Sequence, residues 1–389
     1  MSHTTPTGRR RVVLLGATGS IGRQACEIIE RYPEHFELVG AVAGQDAAAL
    51  SALVERFRLR HAAVVAPPPG AALPSGCGTG MAAACEVAAM PADVVCVGIS
   101  GAAALRPTLA ALDAGTDVAI ATKEVLVMAG ELVTERARAS GARLLPVDSE
   151  HSALWQCLRG EDPAGVRRLV LTASGGPFRD RPLADFAGIT VEEALHHPNW
   201  SMGPKITVDS STMMNKGLEI IEAHFLFDVP YSRIDVVIHP SSIVHSCVEF
   251  IDGATKAQLG VPDMSLPIAL ALTGGHRLPG VCPPADLAAV GRLDFLPVEP
   301  ARFPAVALAR HAGETGGAAP CALNAANEAA VAAFLAGRLR FVDVIPLVAE
   351  TLDAAELPAS PGIEELAAID AWARAAVDRA STAAMSGGG

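Results

Sequence analysis

A glycine-rich turn set between an apolar run and an amphipathic stretch constrains this chain most. Val12–Leu15 is short and continuously apolar, and Ile21–Arg31 carries helical periodicity. Between them stands Gly16-Ala17-Thr18-Gly19-Ser20-Ile21-Gly22. Glycines permit a tight turn and let a phosphate approach the backbone, while a helix N-terminus supplies free N–H groups and a favourable dipole. The spacing is G-x-x-G-x-x-G rather than G-x-G-x-x-G. A glycine-rich string alone is weak evidence, and its place between strand and helix strengthens it. The plain alternative is a structural turn.

The same alternation continues. Leu38–Ala43, Ala62–Ala66, Val94–Gly98, Val118–Ala121 and Leu144–Val147 read as further strands, with helices over Ala47–Phe57 and Ala102–Ala114. Strands that are apolar on both faces and alternate with helices predict an α/β architecture, a doubly wound parallel sheet of Rossmann-like type. After Asp148 the style changes. Leu169–Ala173, Val236–His239, Ser246–Phe250 and Lys256–Leu259 suggest a more open sheet, with Asp252-Gly253 as a hairpin turn. Pro279–Pro304 is proline-rich and aperiodic. Ala322–Leu335, Val342–Ala355 and Ile363–Ala384 regain helical periodicity. The expected organisation is a nucleotide-binding domain over 1–147 and an α+β catalytic and dimerisation domain over 148–278. A linker over 279–303 and a helical domain over 304–389 would follow.

Of the 389 residues, 50% are hydrophobic and 19% charged, enough apolar material for a large core. A net charge of −12 argues against nucleic acid and against an anionic membrane surface as partners. The start of the chain lacks the apolar segment of a signal peptide, and no apolar run reaches the roughly 18 residues that a bilayer requires. The 8 cysteines show no C-x-x-C spacing. They read as reduced, buried thiols of a cytoplasmic protein.

Asp148-Ser149-Glu150-His151 places two carboxylates at the end of a presumed parallel strand, where open α/β sheets bind ligands. Asn215-Lys216-Gly217-Leu218-Glu219 offers a third, with Asn215 and Glu219 on one helix face. Three carboxylates stay ionised in one cavity only if a cation neutralises them. All-oxygen ligands suit Mg²⁺ or Mn²⁺ rather than zinc. The alternative for each acid is a surface carboxylate or a cap.

Ser210-Ser211-Thr212 ahead of that helix, with Asn215 and Lys216 one turn in, makes a phosphate cradle or a simple N-cap. Ser174-Gly175-Gly176 can add a hydroxyl and N–H groups. Lys123, after Val118–Ala121, can polarise a carbonyl or hydroxyl, or lie at the surface. His196–Gly203 contains Pro198 and Trp200 and ends in glycine, which reads as a mobile lid or as a static loop anchored by Trp200. His239 reads as a hydrogen-bonded core histidine. At the tip of the second strand, Gly44 is followed by Gln45 and Asp46. No carboxylate closes the strand and no Lys or Arg awaits a 2′-phosphate, so local chemistry leaves NAD and NADP open.

Together these residues resemble the 1-deoxy-D-xylulose 5-phosphate reductoisomerases along nearly the whole chain. The resemblance rests on Gly19-Ser20-Ile21-Gly22, Lys123-Glu124, Asp148-Ser149-Glu150-His151 and Ser174-Gly175-Gly176-Pro177-Phe178-Arg179. It rests equally on His197 to Gly203, Val208 through Glu219, and Ala322-Leu323-Asn324-Ala325-Ala326-Asn327-Glu328. It implies a homodimer that converts 1-deoxy-D-xylulose 5-phosphate into 2-C-methyl-D-erythritol 4-phosphate in non-mevalonate isoprenoid synthesis. NADPH and Mg²⁺, Mn²⁺ or Co²⁺ would serve as cofactors. By matching motif, Asp148, Glu150 and Glu219 would hold the metal, with Lys123 beside them in catalysis. Ser174, His197, Ser210, Asn215 and Lys216 would hold the substrate and its phosphate, Ser149 and Lys123 its hydroxyls, and Trp200 would cover it. Thr18, Gly19, Ser20, Ile21, Gly44, Gln45, Asp46, Thr122, Glu124 and Gly203 would line the NADPH site. Retro-aldol and α-ketol routes both remain open.

The chain departs from the family at Thr122, where asparagine is usual, and at Val125, Ser241 and Ser265. Three rivals follow. A specialised or inhibitor-tolerant paralogue would act on a related phosphorylated ketose. A non-catalytic NADP-binding regulator would bind cofactor without turnover. A metal-independent dehydrogenase would ignore EDTA.

Overall fold

The computed structural model describes residues 8–196 and 203–386. It contains two compact units. The first takes the chain up to Val125 with Gly130–Trp155 and Asp263–Pro284, and the second takes Leu126–Ala129, Gln156–Pro262 and the chain from Ala285 onward.

The first unit is built on a seven-stranded sheet of β1 (Arg10–Leu15), β2 (Phe36–Ala43), β3 (His61–Val64), β4 (Gly78–Thr79), β5 (Val94–Val97), β6 (Asp117–Ile120) and β7 (Leu144–Pro146). All pairings are parallel, and the order is β4-β3-β2-β1-β5-β6-β7. Winding reverses at β1, so the loop after β1 stands at the topological switch point, where such sheets take ligands. The intervening helices are α1 (Ser20–Arg31), α2 (Ala47–Phe57), α3 (Gly80–Ala88), α4 (Leu105–Asp113), α5 (Lys123–Ser140) and α6 (Ser149–Leu158). Val12, Leu14, Ala41, Ala43, Val94 and Cys96 form the core under α1 and α2. The doubly wound parallel sheet is therefore present as expected.

The second unit holds α7 (Val191–Ala194), α8 (Pro204–Thr212) and α9 (Met214–Phe227). Its sheet consists of β8 (Val166–Ala173), β9 (Ile234–Ile238), β10 (Val244–Phe250), β11 (Thr255–Leu259) and β12 (Leu296–Pro297), in the order β11-β10-β8-β9-β12. β10 and β11 form the antiparallel hairpin, with Gly253 at φ +90° in the turn.

After β11 the chain returns to the first unit as α10 (Ser265–Leu272), which packs on α1 and accepts a 2.7 Å hydrogen bond at the Leu272 carbonyl from Arg10. The proline-rich stretch is not featureless. It forms the short α11 (Leu287–Val290) and then β12, which pairs antiparallel with β9. The helical region follows as α12 (Pro304–Thr315), α13 (Ala319–Leu335), α14 (Val344–Asp353) and α15 (Ile363–Ser386). Among the described residues no helix is long and apolar enough to cross a membrane.

Candidate active site

The nucleotide loop follows from packing. Gly16 has φ +83°, and a Cβ there would lie 2.5 Å from the Gly98 carbonyl oxygen at the end of β5. A Cβ on Gly22 would lie 2.5 Å from the Ala17 Cα. Both positions accept only glycine, and the turn is pinned between two strands. Gly19 caps α1 without a side-chain bond, so the first-turn N–H groups of Ser20, Ile21 and Gly22 are those a helix leaves for an anion. Thr18 contributes its carbonyl to Arg23 at 2.7 Å.

At the tip of β2, Gly44, Gln45 and Asp46 are exposed. The Asp46 carboxylate is the N-cap of α2 and accepts from the Ala49 N–H at 2.9 Å. Thr122 is buried at the start of α5, and its hydroxyl donates to the Ile99 carbonyl at 2.6 Å, tying the end of β6 to that of β5. Val125 is fully buried and apolar.

β6 and β7 deliver the catalytic candidates side by side. Lys123 Nζ meets Asp148 Oδ2 at 2.7 Å, with side chains only 8% and 12% exposed. Asp148 ends the turn after β7, and its Oδ1 accepts from the Glu150 N–H at 3.1 Å in the manner of a helix cap. Ser149 Oγ donates to Glu150 Oε2 at 2.5 Å. His151, fully buried, brings Nδ1 to 3.2 Å from Asp148 Oδ1. Asp148 thus stands among an ammonium, an N–H group and an imidazole. Glu124 opens α5 one residue beyond Lys123.

The second unit assembles the other candidates around a helix break. The helix carrying Glu219 starts at Met214, not near Ser210. Ser210 lies in the last turn of α8, Met213 takes φ +60° and ψ +15°, and α9 begins directly after it. No glycine or proline marks this break. The Gly175-Gly176 turn after β8, with φ +81° and +64°, runs against it. A Cβ on Gly176 would lie 2.7 Å from the Ser210 carbonyl oxygen. Ser174 Oγ accepts from the Gly176 N–H at 3.2 Å, and its carbonyl accepts from Arg179 at 2.9 Å.

On α9, Asn215 Nδ2 donates to Glu219 Oε1 at 2.5 Å and Lys216 Nζ to Glu219 Oε2, so an amide and an ammonium hold one buried carboxylate. Gly217 between them is required by packing, because its Cβ would lie 2.5 Å from the Cβ of Ala309 on α12. Gly203 caps α8. His197 and Trp200, the substrate ligand and lid residue of the resemblance, lie outside the described residues.

His239 is a core histidine as expected. It is fully buried, bonded at Nδ1 to the Asp294 carbonyl at 2.7 Å and at Nε2 to Ser241 Oγ at 2.9 Å, and stacked on Phe295 with centroids 4.6 Å apart. Ser265 sits at the start of α10, its N–H bonded to Asp263 at 2.8 Å.

Three residues had drawn no role. The first is His151. The second is Glu222, fully buried one turn beyond Glu219, and an acid inside the apolar run Ile220–Ala223 was the available sign. The third is Asn327, bonded at 2.8 Å to Asp209, a residue 118 positions away that no local pattern connects to it.

Comparison with known proteins agrees over most of the length. Residues 12–130 match the family model described as 1-deoxy-D-xylulose 5-phosphate reductoisomerase, and residues 144–227 match the C-terminal domain of that enzyme. Residues 259–376 match a further model, DXP reductoisomerase C-terminal domain. The 1-deoxy-D-xylulose 5-phosphate reductoisomerase of Anaeromyxobacter dehalogenans is 51% identical over 356 residues, covering 89% of this chain and 90% of that protein. The enzyme of that name from Gloeobacter violaceus is 48% identical over 94% of this chain and 96% of its own length.

Among solved structures, the reductoisomerase of Zymomonas mobilis in complex with NADPH superposes with a TM-score of 0.89 at 40% identity. It covers 96% of this chain and 99% of its own. A DOX-P reductoisomerase in complex with NADPH, fosmidomycin and magnesium gives a TM-score of 0.88 at 38% identity, covering 96% and 98%. Identity near one half across both sheets and the C-terminal helices makes this chain a member of the 1-deoxy-D-xylulose 5-phosphate reductoisomerase family.

Proposed function

We infer that the chain isomerises and reduces 1-deoxy-D-xylulose 5-phosphate to 2-C-methyl-D-erythritol 4-phosphate, with NADPH as hydride donor and Mg²⁺ or Mn²⁺ as the working cation. The observation that carries this reading is the Lys123–Asp148 pair beside Glu150, at the C-terminal edge of a parallel sheet whose switch-point loop is Gly16–Gly22. A plain dehydrogenase has no use for those acids.

The donor set fits a hard cation. Asp148, Glu150 and Glu219 each offer a carboxylate oxygen, and we assign them as its ligands. When bound, the cation polarises the substrate's oxygens and stabilises the negative charge that the rearrangement develops. NADPH would supply the hydride, and the first-turn N–H groups of α1 would hold its pyrophosphate.

The chain's own residues do the rest. Lys123 is held by Asp148 in an orientation from which its ammonium can donate to a substrate oxygen. Ser149 donates to a second hydroxyl. Ser174, Ser210, Asn215 and Lys216 take the phosphate. Asn215 and Lys216 hold both oxygens of Glu219, so reaching the phosphate means yielding Glu219 to the cation. Phosphate and metal binding should then be cooperative.

We retain the four-part division at 147, 278 and 303 only as a working map of these tasks, with α10 of the 148–278 segment belonging to the first compact unit and β12 of the 279–303 segment to the second sheet, and the homodimer as the working assembly. A cytoplasmic location suits the thiols. All eight cysteines are free, and burial pushes Cys96 and Cys321 up to about 12 and Cys26 and Cys247 up to about 11. They stay protonated and unreactive at neutral pH.

The test is NADPH oxidation with 1-deoxy-D-xylulose 5-phosphate, with Mg²⁺ and then with EDTA, repeated with NADH. Metal-dependent oxidation is expected. Oxidation indifferent to EDTA would favour a metal-independent dehydrogenase. NADPH binding without turnover would favour the paralogue or the regulator.

A further inference from the structure

The Ala322–Glu328 stretch of α13 is distinctive in sequence, yet the proposed chemistry gives it no task. Two of its asparagines are fully buried, and their side-chain carbonyl oxygens have no hydrogen-bond partner among the described residues. Asn327 points its amide nitrogen at the Asp209 carboxylate on α8, with Nδ2 to Oδ1 at 2.8 Å. Asp209 is 1% exposed. Its other oxygen, Oδ2, meets Lys205 Nζ at 2.9 Å, one turn back on the same helix.

Stability alone does not explain this arrangement. A buried carboxylate loses hydration that its partners only repay, and well-packed apolar residues often serve as well or better. The unpaired Asn327 oxygen adds a further cost. Such an arrangement is tolerated where a particular placement matters more than stability.

The placement concerns Ser210, the next residue. α8 is only nine residues long and ends at Met213 in the left-handed region, so its last turn has few internal bonds of its own. Asp209 is clamped to α13 on one side of Ser210. On the other side, Ser211 Oγ donates to the Ala194 carbonyl of α7 at 3.0 Å. The Gly176 turn packs against the Ser210 carbonyl itself. Ser210 is thus fixed through its neighbours while its own side chain stays partly exposed.

We propose that Asn327 and Asp209 form a positioning pair for substrate phosphate: Asn327, from α13, locks the last turn of α8 so that Ser210 presents its hydroxyl to the phosphate. This rests on reading Ser210 as a phosphate ligand. Neither Asp209 nor Asn327 touches substrate, and both act through Ser210.

A double-mutant cycle on the full chain tests it. S210A should raise KM for 1-deoxy-D-xylulose 5-phosphate. Losing the bond to a buried carboxylate, N327L should raise the same KM about tenfold, with kcat within about twofold. The double variant should be no worse than S210A alone, because Asn327 has nothing left to position. A merely structural role would lower the melting temperature and the active fraction, and so kcat, without moving KM. An unchanged KM in N327L, or effects of the two changes that multiply, would overturn the proposal. An unchanged KM in S210A would remove the phosphate reading, and the positioning role with it, whereas N327L failing alone would leave that reading intact. Should N327L not fold, K205M takes the clamp apart from its solvent side. It predicts a smaller rise in KM, again absent in the S210A background, and no rise would equally overturn the pair.

Discussion

The two units present their functional residues in opposite ways. In the first, Asp148, Glu150 and Lys123 stand where strands end and helices begin, Lys123 and Asp148 joined in a pair of largely buried side chains and Glu150 partly exposed beside them. In the second, Lys216 and Glu219 sit inside a packed helix, flanked by Leu218, Ile220, Ile221 and Ala223, all fully buried. The first group is supplied by topology, since any doubly wound sheet offers such a rim. The second is cut into the core, and its charges must satisfy one another to exist there at all. A partly exposed member of the rim such as Glu150 can lose its charge at little structural expense, whereas the core site uses the same groups for stability and for binding.

The largest effect should come from the rim. Glu150 lies at the start of α6, partly exposed, and its carboxylate accepts a hydrogen bond from Ser149 Oγ. Glu150→Gln keeps shape and hydrogen bonding but removes one of the proposed metal charges. Turnover should fall by about a thousandfold or more, consistent with the several kcal/mol that a catalytic cation supplies. The melting temperature and NADPH affinity, read by fluorescence quenching, should stay near wild type. Activity within a few-fold of wild type would remove the metal assignment.

The core site should answer differently. Lys216 and Glu219 are 5% and 1% exposed. Removing one partner of such a pair leaves a buried charge uncompensated, at a cost of about 3–5 kcal/mol. Lys216→Met should therefore lower stability by an amount of that order in urea titration, as well as weaken substrate binding. If Lys216→Met instead melts like wild type while losing activity, the contrast between rim and core fails, and Glu219 must find another partner as easily as an exposed acid would.

That contrast also explains what could be read in advance. The parallel strands were legible because their residues are apolar on both faces, and α2 was expected at Ala47–Phe57, where it lies. Asp148 and Glu150 could be placed because a strand end is where periodicity stops. The break at Met213 was not legible, because a methionine at positive φ carries no mark in sequence and is held there by tertiary packing. α10 was missed for a related reason. Ser-Leu-Pro-Ile-Ala-Leu-Ala-Leu is apolar all round, with no stripe to reveal its period. β12 is two residues in a proline-rich stretch, and only its partner β9 makes it a strand. The Asp209–Asn327 pair joins helices far apart in the chain, so neither residue's neighbourhood announces the other.

The smallest effect tests the rim at its most exposed point, the tip of β2. Asp46 caps α2 through the Ala49 N–H, so it has a structural task that is independent of any cofactor. Two substitutions separate the possibilities. Asp46→Asn keeps the cap and removes the charge. Asp46→Lys removes both and adds a cation, losing about 1 kcal/mol of cap stability. If the tip faces a 2′-phosphate, Asn should raise the NADPH-over-NADH preference in kcat/KM slightly and Lys should raise it by about tenfold, the worth of one charge-assisted hydrogen bond. If both variants keep the wild-type preference while Lys alone lowers the melting temperature, the Asp46 carboxylate is a helix cap and no more. Discrimination between the two cofactors would then belong to other residues of the first unit, and the rim would divide, as the core site does not, into positions that bind and positions that only hold the fold.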